Sequence, residues 1–166
     1  MKDPFKGLRE LVNVLKPHGF LKLGLYSKLA RQHIVKIKEL IKKKKIKNTI
    51  EDIRNFRELI FEERDDKLLQ KTLNNKDFYS TSMARDLMFH VQEHCFTISE
   101  ISDMLKKLDL EFIGFRNPLI KNKYSKFFPN DKKNISLDNW NKFELNNPDT
   151  FSNMYQFWVK RNEKYK

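Results

Sequence analysis

Residues 89 to 97 read FHVQEHCFT, and His90, Glu93 and His94 within them spell H-x-x-E-H, with Cys95 directly behind. This is the inverted form of a zinc-hydrolase motif. Two histidines on one helical face would bind the metal, the glutamate would act as general base, and a third ligand would come from elsewhere. That geometry needs an unbroken helix. Thr97 and Glu100 form a T-x-x-E capping box that announces a new helix just behind the motif. His94 therefore falls at a helix end or in a loop, and the motif is assigned no metal. A zinc hydrolase would require stoichiometric zinc at His90 and His94. Cys95, the single cysteine, reads as a small apolar residue rather than a nucleophile.

The elements that position these residues start at Asp3, which caps a helix whose first residue is Pro4. Phe5, Leu8, Leu11, Val12 and Leu15 form its apolar stripe, and Pro17 and Gly19 stop it. FLKLGLY, residues 20 to 26, predicts a short strand, apolar enough for the interior of a parallel sheet covered by helices. Residues 27 to 76 predict helices, with stripes at Leu29, Ile34, Ile37, Leu40 and Ile41, then at Ile53, Phe56, Leu59 and Ile60 behind a Thr49 cap. NNKDFYSTS, residues 74 to 82, predicts a loop, and MARDLMF a short helical turn. After the Thr97 cap come a helix over Ile98 to Leu108 and a strand over LEFIGF, residues 110 to 115. A helix over Ile120 to Phe127, a turn at Pro129 to Asp131, a helix carrying Leu137, Trp140 and Phe143, and a strand in MYQFWVKR complete the chain. Both tryptophans are expected in the core and His33 at the surface.

A chain of 166 residues with 39% hydrophobic content is enough for one domain with a real core. No apolar run reaches membrane-spanning length and no secretory signal opens the chain. With a lone cysteine that cannot form an intrachain disulfide, a cytoplasmic protein away from membranes is the expectation. Lys and Arg number 34 against 22 Asp and Glu, a formal net charge of +12. Such a basic surface would attract nucleic acid or anionic membranes. A/T-rich codon usage also explains the excess of lysine, and Lys42 to Lys45 suit a solvated helix end. A basic helical nucleic-acid-binding module without enzymatic activity is the alternative reading.

LRELVNVLKPHGFLKLGLYS resembles the helix, turn and fifth strand of class I S-adenosylmethionine-dependent methyltransferases. ISDMLKKLDLEFIGF resembles the later helix and sixth strand of that fold. YQFWVKR is similar to its seventh strand, which runs antiparallel between the other two. STSMARDLMFHVQEHCFT resembles an insertion in a bacterial subgroup often fused to tetratricopeptide repeats. The resemblance implies an α/β fold comprising the last three strands of a Rossmann-like methyltransferase sheet with a largely helical insertion. It implies a single incomplete domain, with helix and strand over 1–26, a helical lid over 27–97, and a helix with two strands over 98–166. An upstream half, or a tetratricopeptide-repeat region, would be its companion.

S-adenosylmethionine is the implied cofactor, and only with that companion half. The family holds it on a glycine-rich loop followed by an acidic residue. Gly7, Gly19, Gly24 and Gly114 make no G-x-G pattern, and His18 stands where the family's turn has its first glycine. Ligands of open α/β sheets lie beyond the carboxyl ends of the strands. There Tyr26, Ser27, Arg31, Arg85 and Gln92 are the expected contacts to an unidentified methyl acceptor. His90, Glu93 and His94 are the expected catalytic groups, because methyl transfer to N or O often needs a base. Packing and structural salt bridges, for instance at Arg85 and Asp86, account for the same residues without chemistry.

Overall fold

The computed structural model describes residues 3–90, 93–152 and 154–162. Gln92, one of the expected acceptor contacts, lies outside them. The chain is mixed α/β and divides into two compact units, Met1–Ala30 with His94–Lys166, and Arg31–Glu93. No helix among the described residues is long and apolar enough to cross a membrane.

In the first unit, α1 (Pro4–Val14) starts where Asp3 accepts a hydrogen bond from the Lys6 backbone N–H, with proline in the first turn. It leads into β1 (Phe20–Ser27). β2 (Cys95–Phe96) is a two-residue strand that the sequence reading did not anticipate. α6 (Ile98–Lys107) opens on a capping box in which Thr97 and Glu100 bond reciprocally, and leads into β3 (Leu110–Phe115). α7 (Pro118–Phe127), α8 (Leu137–Asn146) and β4 (Tyr155–Arg161) follow.

The sheet order is β2-β1-β4-β3. β4 is antiparallel to both β1 and β3, so those two run parallel to each other. β2 pairs in parallel only with Tyr26 and Ser27. Alternation separates the faces. Leu23, Tyr155, Phe157 and Val159 are buried with Leu8 and Val12 of α1, Ile101 and Leu105 of α6, and Trp140 of α8. Phe20, Lys22, Gly24 and Trp158 point the other way and are exposed.

Two expectations for this unit need correction. β1 is not an interior strand covered on both faces, because Lys22 and Gly24 alternate with its leucines. Trp158 is 41% exposed rather than core, since Phe157 and Val159 take the inward positions beside it. A register shift between Phe112 and Gly114 marks a β-bulge, where Gly114 adopts φ 139°. The extra residue turns Phe115 inward as well as Phe112, and their rings meet edge-on at 5.1 Å.

The second unit contains α2 (Gln32–Lys44), α3 (Ile50–Glu62), α4 (Lys67–Gln70), two 3-10 turns over Lys71–Asn74 and Lys76–Tyr79, and α5 (Thr81–Phe89). Its core holds Ile34, Ile37, Ile53, Phe56, Ile60 and Phe78. Phe78 lies in the stretch expected to be a plain loop, and a buried phenylalanine there closes the core. His33 is buried, not at the surface, because it shares the inner side of α2 with Ile34, Ile37 and Ile41.

Candidate functional site

The second unit places Glu93 between two cations. Arg31 pairs with its Oε1, and Lys38 Nζ donates to its Oε2 at 2.9 Å. Lys38 also donates to the His90 carbonyl at 3.3 Å. The Glu93 side chain is only 9% exposed. Burial raises the affinity of Glu93 for a proton, but hydrogen bonds from Lys38 and Arg31 outweigh it, and its carboxyl titrates below the ordinary range. A carboxylate held ionised in this way is a weaker base than a free one, and its ion pairs tie it to Lys38 of α2 and to Arg31 at the N-cap of that helix.

α5 ends at Phe89, and His90 has the extended backbone of a C-cap. His90, Glu93 and His94 are therefore not carried on a helix. Among the described residues no group of three or more His, Cys, Asp and Glu side chains is placed to hold a metal. His94 belongs to the first unit and is exposed. Arg85 sits half-buried in α5, and its Nε is a buried donor without an acceptor among the described residues. Of the expected catalytic and binding groups, the structure joins Arg31 with Glu93 and sets Tyr26 beside Ser27. Lys38, which completes the first pair, was not foreseen.

The first unit has its own polar centre at the carboxyl end of β1. Ser27, fully buried, donates from Oγ to Glu144 Oε1 at 2.6 Å and accepts from the Ala30 N–H at 3.0 Å. The Tyr155 hydroxyl lies 2.8 and 2.7 Å from the two Glu144 oxygens. Burial pushes the Glu144 carboxyl above its ordinary value, and the Ser27 and Tyr155 hydrogen bonds only partly oppose this. Burial likewise raises the Tyr155 phenol. The three groups tie the end of β1 to the start of β4 and to α8. Glu144 carried a signal in the sequence, because it falls four residues after Trp140 on the apolar side of α8. Such a carboxyl needs buried partners.

Beside this cluster, at the carboxyl end of β3, lies a cavity of about 370 Å³. Phe115 and Phe151 close its back, with ring centroids 4.5 Å apart, and both rings also pack on Tyr155. Arg116, Asn117, Thr150, Ser152 and Gln156 supply its polar groups. Arg116 Nη1 donates to Gln156 Oε1 at 3.3 Å. Neither Arg116 nor Gln156 was a candidate in the sequence, where nothing distinguishes them from other surface residues.

The described glycines do not make a cofactor cradle. A Cβ on Gly19 would meet Leu15 and the Lys16 carbonyl at 2.8–2.9 Å, and one on Gly24 would meet Met154 Sδ at 3.1 Å. Those close approaches are to the protein's own packing, not to an open site. No family profile matches the chain, and no curated protein matches its sequence.

Proposed function

We propose that the chain is the C-terminal, acceptor-side portion of a class I S-adenosylmethionine-dependent methyltransferase, of the bacterial subgroup often fused to tetratricopeptide repeats. The observation that carries the reading is the sheet order. β4 enters antiparallel between two parallel strands, and each of those follows a helix, α1 before β1 and α6 before β3. That is the arrangement the three resembling segments call for. A plain hairpin meander would instead have put consecutive strands side by side.

The residues do not fit S-adenosylmethionine on their own, since Gly19 and Gly24 serve packing, Gly114 serves the bulge in β3, and the sequence has no G-x-G loop followed by an acidic residue. The reading therefore assigns the cofactor, and with it the methyl-transfer step, to a companion segment, in the same reading frame or as a partner chain. The carboxyl edge, with Tyr26, Ser27 and the cavity beside Arg116, is the acceptor side.

The DNA upstream of the Met1 codon provides the test. The reading expects it to encode further βα units with a G-x-G loop followed by an acidic residue. The joined polypeptide should then retain radiolabelled S-adenosylmethionine in equilibrium dialysis. If neither the upstream nor the neighbouring frames encode such units, or if the joined and folded protein retains no label, the reading fails.

A further inference from the structure

The geometry points to the cavity beside Arg116 as a binding site for a small monocarboxylate with a flat apolar body, such as an arylcarboxylate. As the identity of a methyl acceptor this rests on the methyltransferase reading; as a binding site it does not.

The size is the first argument. A space of about 370 Å³ falls in the range of small-molecule sites, roughly 300–1,000 Å³. Its make-up is the second. The back wall is aromatic, from Phe115 and Phe151, and Ile120 and Met154 add aliphatic surface. A flat ring would meet carbon on these sides.

Charge is the third argument. Arg116 is the only charged residue among the described residues that line the cavity. Among the described residues it pairs with no carboxylate, and its side-chain hydrogen bond goes to the neutral Gln156 Oε1. A guanidinium at a cavity edge without a counter-ion favours an anion, and its planar fork matches a carboxylate. With its Oε1 turned to Arg116, Gln156 keeps its amide N–H groups as further donors. One cation balances one negative charge, which favours a monocarboxylate over a phosphate dianion. The Thr150 hydroxyl donates to the Asn147 carbonyl at 2.6 Å, so toward the cavity it offers only lone pairs. A ligand carrying one donor on its ring would satisfy it.

The local fold makes the site firm. The bulge at Ile113 turns Phe115 inward and delivers Arg116 to the cavity edge. The Arg116 backbone N–H donates to the Gln156 carbonyl at 2.7 Å, which fixes the two residues side by side. Trp140 packs edge-on against Phe115 at 4.8 Å, so it reports on the back wall.

The test titrates the full chain, without cofactor, with benzoate, its neutral isostere benzamide, and inorganic phosphate. The readouts are the backbone and side-chain amide NMR signals of Arg116 and Gln156, and Trp140 fluorescence in a Trp158→Phe background. The proposal expects saturable benzoate shifts confined to the cavity. Benzamide should bind at least about tenfold more weakly, as should benzoate to Arg116→Gln, since each loses one charge-assisted hydrogen bond. Gln156→Glu, which sets a carboxylate before Arg116, should abolish benzoate binding with the fold retained. Equal binding of benzamide, unchanged binding to either variant, phosphate binding at least as tightly as benzoate, or no saturable shift would each overturn it. A chain that binds benzoate but gains no methyl donor from a companion segment keeps the site and loses the methyltransferase reading.

Discussion

Replacing Glu144 by alanine and by glutamine separates the two roles its carboxyl plays. Ser27 and Tyr155 are both fully buried, and both donate to Glu144. Glu144→Ala strands two buried hydroxyls, each costing about 1–3 kcal/mol. The sum, roughly 2–6 kcal/mol, is a large part of the ~5–15 kcal/mol that stabilises a domain. Glu144→Gln keeps the shape and an acceptor oxygen but cannot ionise, so its effect depends on pH.

The sign of that dependence follows from burial, which lifts the folded carboxyl above its ordinary 4.5. Above that ordinary value the folded chain keeps a proton that the unfolded chain has released. Stability from this group is therefore full below the unfolded value and is lost as pH rises through the folded one, with a slope of at most about 1.4 kcal/mol per pH unit. Carboxyls shifted downward, such as Glu100 and Asp131, act in the opposite sense, but they are common to both proteins and cancel in the difference. Glu144→Gln should gain on the parent as pH rises from about 4 to 8. Urea unfolding followed by tryptophan fluorescence measures this, because Trp140 and Trp158 both lie in the first unit. A flat or falling difference between the two proteins, or a Glu144→Ala cost below about 0.5 kcal/mol, would refute the buried-acceptor account.

Glu93→Gln should loosen the second unit by about 3–5 kcal/mol, since it removes the negative charge that Glu93 sets against buried Arg31 and against Lys38. Faster hydrogen exchange in α2 peptides is the readout. In the parent that protection, present above the ordinary carboxyl value, should fade as pH falls through the depressed folded value of Glu93. Thr97→Ala should cost about 1 kcal/mol, measured by thermal melts, because it removes the acceptor for the Glu100 N–H. Lys45 closes α2 at φ 54°, so Lys45→Gly should stabilise the second unit by up to about 1 kcal/mol in the same melts. Gly114→Ala should destabilise the first unit by about 1 kcal/mol or more, because its φ of 139° disfavours any Cβ.

Much of the framework is local and was readable. Asp3, Thr49 and Thr97 each cap the helix they announce, because a cap depends on residues three apart and on little else. The strands expected at residues 20–26, at 110–115 and in MYQFWVKR likewise lie in short apolar stretches, and the structure sets them at Phe20–Ser27, Leu110–Phe115 and Tyr155–Arg161. What the sequence concealed depends on distant partners. Phe78 looks like a loop residue until α3 and α5 enclose it, and His33 looks like one basic-helix residue among several. The H-x-x-E-H spacing suggested chemistry, yet α5 ends before it begins and its glutamate is taken by Arg31 and Lys38. A five-residue pattern fixes separation along the chain, whereas coordination needs directions in space, which only the helix end decides.

The candidate site shows the same dependence on topology from the other side. Ser27, Glu144 and Tyr155 are separated by 117 and 11 residues along the chain, and no motif links them. They meet because β4 runs opposite to β1, which puts the first residue of one strand beside the end of the other, with Leu25 facing Tyr155. Had β4 run parallel to β1, Tyr155 would start at the amino edge, a full strand length from Ser27, and Glu144 would have only one donor. Arg116 and Gln156 depend on the same reversal, since the end of β3 meets the start of β4. The antiparallel strand that suggests a family is thus also what builds the polar centre and the cavity, so an experiment on either one tests the strand order that both require.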